Sequence, residues 1–179
     1  MRVTVIVGVF LMLIMAGCTG APGAQGEDSV SVTVVDVIDG DTLDVRFPDG
    51  SIDRVRLLGV DTPETYARND PAEFEGVPNT TAGRECLRAA GLEASREMKQ
   101  LNGSSVTLEF DSSADRRGGY DRLLAYVIED GTNRNYWLIE QGYARVYVTE
   151  FDQLDRFEAA EEAAQDADRG LWNCTDVAS

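Results

Sequence analysis

A chain of 179 residues with 43% hydrophobic and 27% charged side chains has the length of one ordinary domain and enough apolar material for a core, which excludes disorder throughout. Thirty-two acidic residues against sixteen basic ones give a net charge of −16, the reverse of the basic surface expected of a nucleic-acid binder. Histidine is absent, so the usual base is unavailable and a carboxylate or metal-bound hydroxide must serve.

Residues 3–17 form an apolar run behind Arg2 that is too short to span a bilayer comfortably and ends in small residues, as a secretory signal does. Ala16-Gly17-Cys18 resembles a lipobox, which implies cleavage before Cys18 and a lipid on its sulfur. Plain secretion and retention of the segment as an anchor are the alternatives. Residues 18–29 are rich in Gly, Ala, Pro and Ser and read as a flexible tether. If Cys18 carries lipid, Cys86 and Cys174 remain as one pair in an oxidising compartment. Their bond would tie the loop before the first helix to the C-terminal end; two free thiols are the alternative.

The folded domain is expected over residues 30–175, with 176–179 as a tail. Val30 to Ile38 is β-branched with partial alternation and reads as the first strand. Thr42 to Phe47 and Arg54 to Val60 flank the turn Pro48-Asp49-Gly50, which predicts a hairpin. Tyr66 to Thr81 lacks periodicity and reads as a long loop. Gly83 to Leu101 carries a helical apolar face stopped by Asn102-Gly103. Val106 to Phe110 and Leu123 to Glu129 read as strands four and five. Asn135 to Gln141 gives a short helix, Tyr143 to Val148 an extended piece, and Leu154 to Ala167 a final helix. Thr149 is read as the cap of that helix, with Asp152 at N3 and Gly170 at C′.

Carboxylates stand at the outer ends of the hairpin. Asp39 and Asp41 lead in; Asp61 and Glu64 lead out. The start of one antiparallel strand faces the end of the next, so Asp41 and Asp61 can meet with Arg56 nearby. Acidic groups brought together repel unless a cation lies between them, and hard oxygen ligands suit calcium or magnesium. Glu64, aimed by the preceding Pro63, is a candidate general base. Arg56 and Arg122 are candidate phosphate clamps, since forked guanidiniums match the equatorial oxygens of a phosphodiester under attack. For each aspartate alone, a turn or strand-end cap is the competing reading.

Three stretches carry a resemblance. Asp39-Gly-Asp-Thr42, Arg56-Leu-Leu-Gly-Val-Asp61-Thr-Pro-Glu64-Thr and Tyr120-Asp-Arg122-Leu-Leu-Ala-Tyr126 resemble, in order, the signatures of the thermonuclease (staphylococcal-nuclease-like) family. The resemblance implies an α+β fold with a mainly β core, an OB-fold five-stranded barrel with about three flanking helices. It implies a calcium-dependent endonuclease that hydrolyses DNA and RNA with little sequence preference and leaves 3′-phosphate ends. Calcium would be held by Asp41, Asp61 and the main-chain carbonyl of Thr62, with Asp39 behind them. Glu64 would act as base, Arg56 and Arg122 as clamps, and Tyr120 would meet the nucleotide.

Asp121 departs from the family's usual Gly, and the family's lysine near Tyr120 is missing; Arg116 and Arg117 are candidates to replace its charge. Lys99 is the single lysine, and an acidic, lysine-poor surface resembles proteins of organisms living in concentrated salt. There the Debye length falls to about 3 Å and repulsion of phosphate fades. The expectation is therefore a haloarchaeal, extracytoplasmic monomer, secreted or held to the membrane by lipid on Cys18. A silent OB-fold lipoprotein that binds nucleic acid or metal at the surface is the rival reading.

Overall fold

The computed structural model describes residues 28–177. Five strands close into a mixed barrel: β1 (Ser29–Val37), β2 (Thr42–Arg46), β3 (Ile52–Leu57), β5 (Ser105–Glu109) and β6 (Leu123–Glu129). Strands β1, β2 and β3 form an antiparallel meander, and β1 also pairs antiparallel with β5. Strand β6 then closes the ring, antiparallel to β5 and parallel to β3, with Arg56 opposite Leu124. Closure leaves no open sheet edge and is the expected OB-fold arrangement.

The alternation that marks the strands in the sequence is the alternation of burial. Val32, Val34, Leu43, Val45, Val55, Leu57, Val106, Leu108, Ala125 and Val127 point into one core. A register shift between Val34 and Asp36 interrupts the alternation, leaving Val35 and Asp36 both outward and Val37 buried in their wake. Strand β1 begins at Ser29, and the carbonyl of Asp28 accepts from Phe110 N at 2.8 Å, so the end of the expected tether belongs to the barrel. Residues 1–17 and Cys18 lie outside the described residues.

Three α-helices flank the barrel among the described residues: α1 (Thr81–Met98), α2 (Arg134–Glu140) and α3 (Leu154–Gln165). Thr80 caps α1 by accepting from Gly83 N at 3.1 Å. Asn135, fully buried on α2, accepts from Val127 N and donates to the carbonyls of Leu58 and Ala125, at 2.9–3.0 Å. One amide thereby fastens α2 to the barrel end.

Several local expectations change. The run from Arg54 to Val60 breaks: β3 stops at Leu57, Gly59 turns the chain at φ +73°, and Val60–Asp61 forms a separate strand β4. The extended piece after α2 shrinks to β8 (Arg145–Val146), which pairs with β4; the two-residue β7 (Thr132–Asn133) pairs with β6. Thr149 does not cap α3. Its N-cap is Gln153, without a side-chain bond, because Asp152 is turned to Ser113 and its own N–H goes to Asp111. Gly170 opens a 3₁₀ segment, Gly170–Asp176, instead of closing α3.

That segment and the loop after β4 build a second, smaller core. Phe74, Val77, Leu87, Ala164, Leu171 and Trp172 pack together, with Pro71–Glu73 forming a short 3₁₀ turn at the loop's centre. Cys86 and Cys174 are disulfide-bonded across this core with Cα atoms 5.7 Å apart. Cys86 sits within α1, not in the loop before it.

Candidate active site

Two tight approaches bring the loop after β4 and the turn before β2 onto α1. A Cβ on Gly91 would stand 2.1 Å from the carbonyl oxygen of Pro63, and one on Gly40 would stand 2.7 Å from the Thr62 side chain. Only glycine permits either contact. The turn Asp39-Gly40-Asp41 and the stretch Asp61 to Glu64 are thus pressed against one helix.

Asp41 is 3% exposed at the start of β2. Its Oδ1 accepts from Thr42 Oγ1 at 2.8 Å and from Arg56 Nη1 at 2.9 Å, while Oδ2 accepts from Thr62 N at 3.1 Å. Asp39 stands behind it, accepting from Asp41 N at 3.1 Å. Asp61 meets the other prong of the same guanidinium, Arg56 Nη2, at 2.7 Å. The Arg56 fork therefore spans Asp41 and Asp61 at one rim of the barrel, and the positive charge between the two carboxylates is this side chain's. The second oxygen of Asp61 takes Arg145 Nη2 at 2.8 Å.

Burial pushes the Asp41 carboxyl up to about 7, despite the opposing pull of Arg56 and with Asp39 adding to the rise. Burial also raises Glu64, with Asp39 and Asp61 adding to it and Arg56 opposing. Asp39 and Asp61 thus add their charge to that of Asp41 and Glu64 at one rim, where Arg56 and Arg145 supply the positive charge. Negative charge is in excess in a partly buried place.

A cation fits that excess. The donors are carboxylate and carbonyl oxygens, suited to a hard ion such as calcium. Among the described residues no three acidic or cysteine side chains converge into a metal-binding group. Two carboxylates, those of Asp41 and Asp61, with the carbonyl of Thr62 and water would then make the shell. Glu64 stays apart from them, held by its backbone: Glu64 N donates to Asn69 Oδ1 at 2.7 Å and Asn69 Nδ2 donates to Glu64 O at 3.0 Å. Asn69 is buried, so this ring fixes the loop.

A cleft of about 720 Å³ opens beside these groups, with Arg56, Asp61, Glu64, Arg122, Tyr120 and Tyr147 on its walls. Arg122 arrives there because β6 starts alongside β3. Its Nε donates to Gly119 O at 3.2 Å, and its guanidinium has no acidic partner among the described residues. Tyr120 is 95% exposed at φ +59°, and Asp121 follows at φ +58°. Two consecutive left-handed residues without glycine are strained, the kind of backbone that concentrates at ligand sites. Tyr147 lies 5.7 Å from the Arg56 guanidinium, ring centroid to carbon.

Arg117 lines the cleft too, but its guanidinium is bound to Asp53 and to the Asp121 carbonyl, and Arg116 lies over the Phe110 ring. Arg117 thus reaches the cleft with its charge already engaged. Arg145 and Asn69 are the site residues that the sequence does not announce. Arg145 reaches Asp61 through the β4–β8 pairing, where the two are cross-strand partners. A two-residue strand gives no periodicity from which that register could be read.

Residues 54–174 match the family described as Staphylococcal nuclease homologue. An uncharacterized protein of Methanocaldococcus jannaschii is 38% identical over 148 residues, 78% of this chain and 70% of that one. Endonuclease YncB of Bacillus subtilis is 36% identical over 159 residues, 86% of this chain and 67% of its own length. Thermonuclease of Staphylococcus hyicus is 32% identical over 154 residues, 84% and 80% of the two chains.

Proposed function

This chain belongs to the staphylococcal nuclease homologue family, and from that premise we propose that it is a calcium-dependent endonuclease of DNA and RNA that leaves 3′-phosphate ends. The observation that carries the reading is the Arg56 fork on Asp41 and Asp61 at the rim of a cleft that Glu64 and Arg122 share. Asp41, Asp61 and the Thr62 carbonyl would hold the calcium ion, which when bound supplies positive charge at the phosphate and a site for water.

The chain's own groups do the rest. Glu64, whose proton affinity burial and neighbouring acids raise, accepts the proton of the attacking water. A base of this kind contributes about 10²–10⁴-fold. The water oxygen bonds to phosphorus, the bond to the 5′-oxygen breaks, that oxygen takes a proton from solvent to become a 5′-hydroxyl, and the phosphate remains on the 3′ side. Arg122, whose guanidinium has no acidic partner among the described residues, neutralises charge gathering on the phosphoryl oxygens. Arg56 holds the two aspartates and lines the same cleft. One guanidinium in phosphoryl transfer is worth about 10³–10⁵-fold, so the arginines outweigh the base.

The same reading places the protein outside the cytoplasm, secreted or held to the membrane by lipid on Cys18. A bonded Cys86–Cys174 pair supports this, because such bonds persist in oxidising compartments. The test is cleavage of plasmid DNA and of RNA by the purified protein across calcium and salt concentrations. Cleavage of both that stops with chelator is expected. Cleavage indifferent to chelator sinks the calcium mechanism, and cleavage of neither polymer sinks the nuclease reading.

A further inference from the structure

A separate cavity of about 250 Å³ is lined by Arg68, Asn69, Thr81, Arg84, Glu85 and Arg88. Three of the sixteen basic residues of a chain with net charge −16 gather here. Several other arginines are spent on acids: Arg54 on Asp44, Arg56 on Asp41 and Asp61, Arg117 on Asp53, Arg134 on Glu129, Arg145 on Asp61. At this cavity they are not. Arg84 donates to the neutral Asn79 Oδ1 at 2.8 Å, and neither Arg68 nor Arg88 has an acidic hydrogen-bond or ion-pair partner among the described residues.

The placement works against the helix. Arg84 and Arg88 occupy the first two turns of α1, whose first turn carries no acid. Cations there face the positive end of the helix dipole, and like charges four residues apart repel. An anion bound among them offsets both effects, and the helix end itself favours one. Tyr66, on the same loop as Arg68, is 89% exposed. An exposed ring two residues along the chain from Arg68 supplies, with the cavity's guanidiniums, the two elements that bind single-stranded nucleic acid: a face for a base and cations for phosphates.

We propose that Tyr66, Arg68, Arg84 and Arg88 form an exosite for a single-stranded stretch of nucleic acid whose continuation enters the cleft past Glu64. The exosite rests on the reading of nucleic acid as substrate. Arg68 is four residues from Glu64, and the Asn69 ring curls the chain between them. The cavity and the cleft thus share one loop, which is the ground for a single strand meeting both. The site gives an acidic protein a local grip on a polyanion that its overall charge repels.

The experiment measures binding of a fluorescein-labelled dT 20-mer to the purified protein in chelator by anisotropy, and turnover of a nitrophenyl phosphodiester of thymidine in calcium. Arg68→Gln with Arg88→Gln is expected to weaken 20-mer binding about tenfold or more. Two lost phosphate contacts should also make the slope of log K against log salt less negative by about 1.4. Tyr66→Ala is expected to weaken it about fivefold or more by loss of stacking. Turnover of the small diester should not change, since it never reaches these residues. Unchanged 20-mer affinity, equal loss on the small diester, or binding of anionic lipid vesicles in place of the 20-mer overturns the exosite. Normal 20-mer binding that depends on these residues, with no diester cleaved in calcium, upholds the exosite and sinks the catalytic reading instead.

Discussion

Glu64 stands in the cleft with its carboxyl free of any ion pair among the described residues, while Asp41 and Asp61 are both clasped by Arg56. That difference is the ground on which Glu64 is proposed as the base: its carboxyl lines the cleft and is not held by an arginine, whereas Asp41 and Asp61 are. Glu64→Gln keeps the size and the backbone ring with Asn69 but removes the base. Turnover is expected to fall about 100-fold or more, with calcium binding by equilibrium dialysis unchanged. Equal turnover would take Glu64 out of the mechanism. The aspartates were readable in the sequence because strand ends face each other across a hairpin. The engagement of Arg56 was not, since sequence places the residue near the carboxylates without saying which way its fork turns. Arg145 was hidden for a different reason: it depends on the two-residue β4–β8 bridge, formed only after the chain has closed.

At the scale of elements, periodicity found β1, β5, β6, α1 and α2 within three residues at most of their ends, because each buries one face against the barrel. It failed where a side chain was needed elsewhere. Asp152 fits a helix N3 position by spacing, yet it is bound to the Asp111–Ser113 turn that carries the cleft wall, and α3 starts later. Helix α3 instead reaches β8 through Glu161, which accepts from Val146 N at 2.8 Å. Burial raises Glu161 above its ordinary value of 4.5, against the opposing pull of that N–H and of Arg145. An acid whose folded value is raised binds its proton more tightly when folded. Its contribution to stability is greatest below the unfolded value and is lost as pH rises through the folded one. Glu161→Gln keeps the acceptor and removes the charge. Denaturant unfolding from pH 4 to pH 8 should show the variant gaining on the parent as pH rises; a constant difference would mean the charge is not what burial opposes.

For the whole molecule, five β-rich runs and an interposed helix made the barrel legible, whereas the second core was invisible. Its members come from the loop after β4, from α1, from the end of α3 and from the C-terminal 3₁₀ segment, with no shared period. What joins them covalently is Cys86–Cys174, closing a span of 88 residues. By loop entropy a link of that length stabilises by about 4–5 kcal/mol, and removing a native one from a small domain costs about 2–5 kcal/mol in practice. The cleft does not depend on it directly. Helix α1 is also held to the barrel side by Ala94, Met98 and the Gly91–Pro63 contact, which position the Glu64 loop. Cys86→Ser with Cys174→Ser is therefore expected to lower the unfolding free energy by about 2–5 kcal/mol, with turnover per folded molecule unchanged well below the new melting temperature. Loss of turnover in step with the bond, while the protein remains folded by circular dichroism, would show that the second core sets the position of α1 and that the barrel alone does not hold the site.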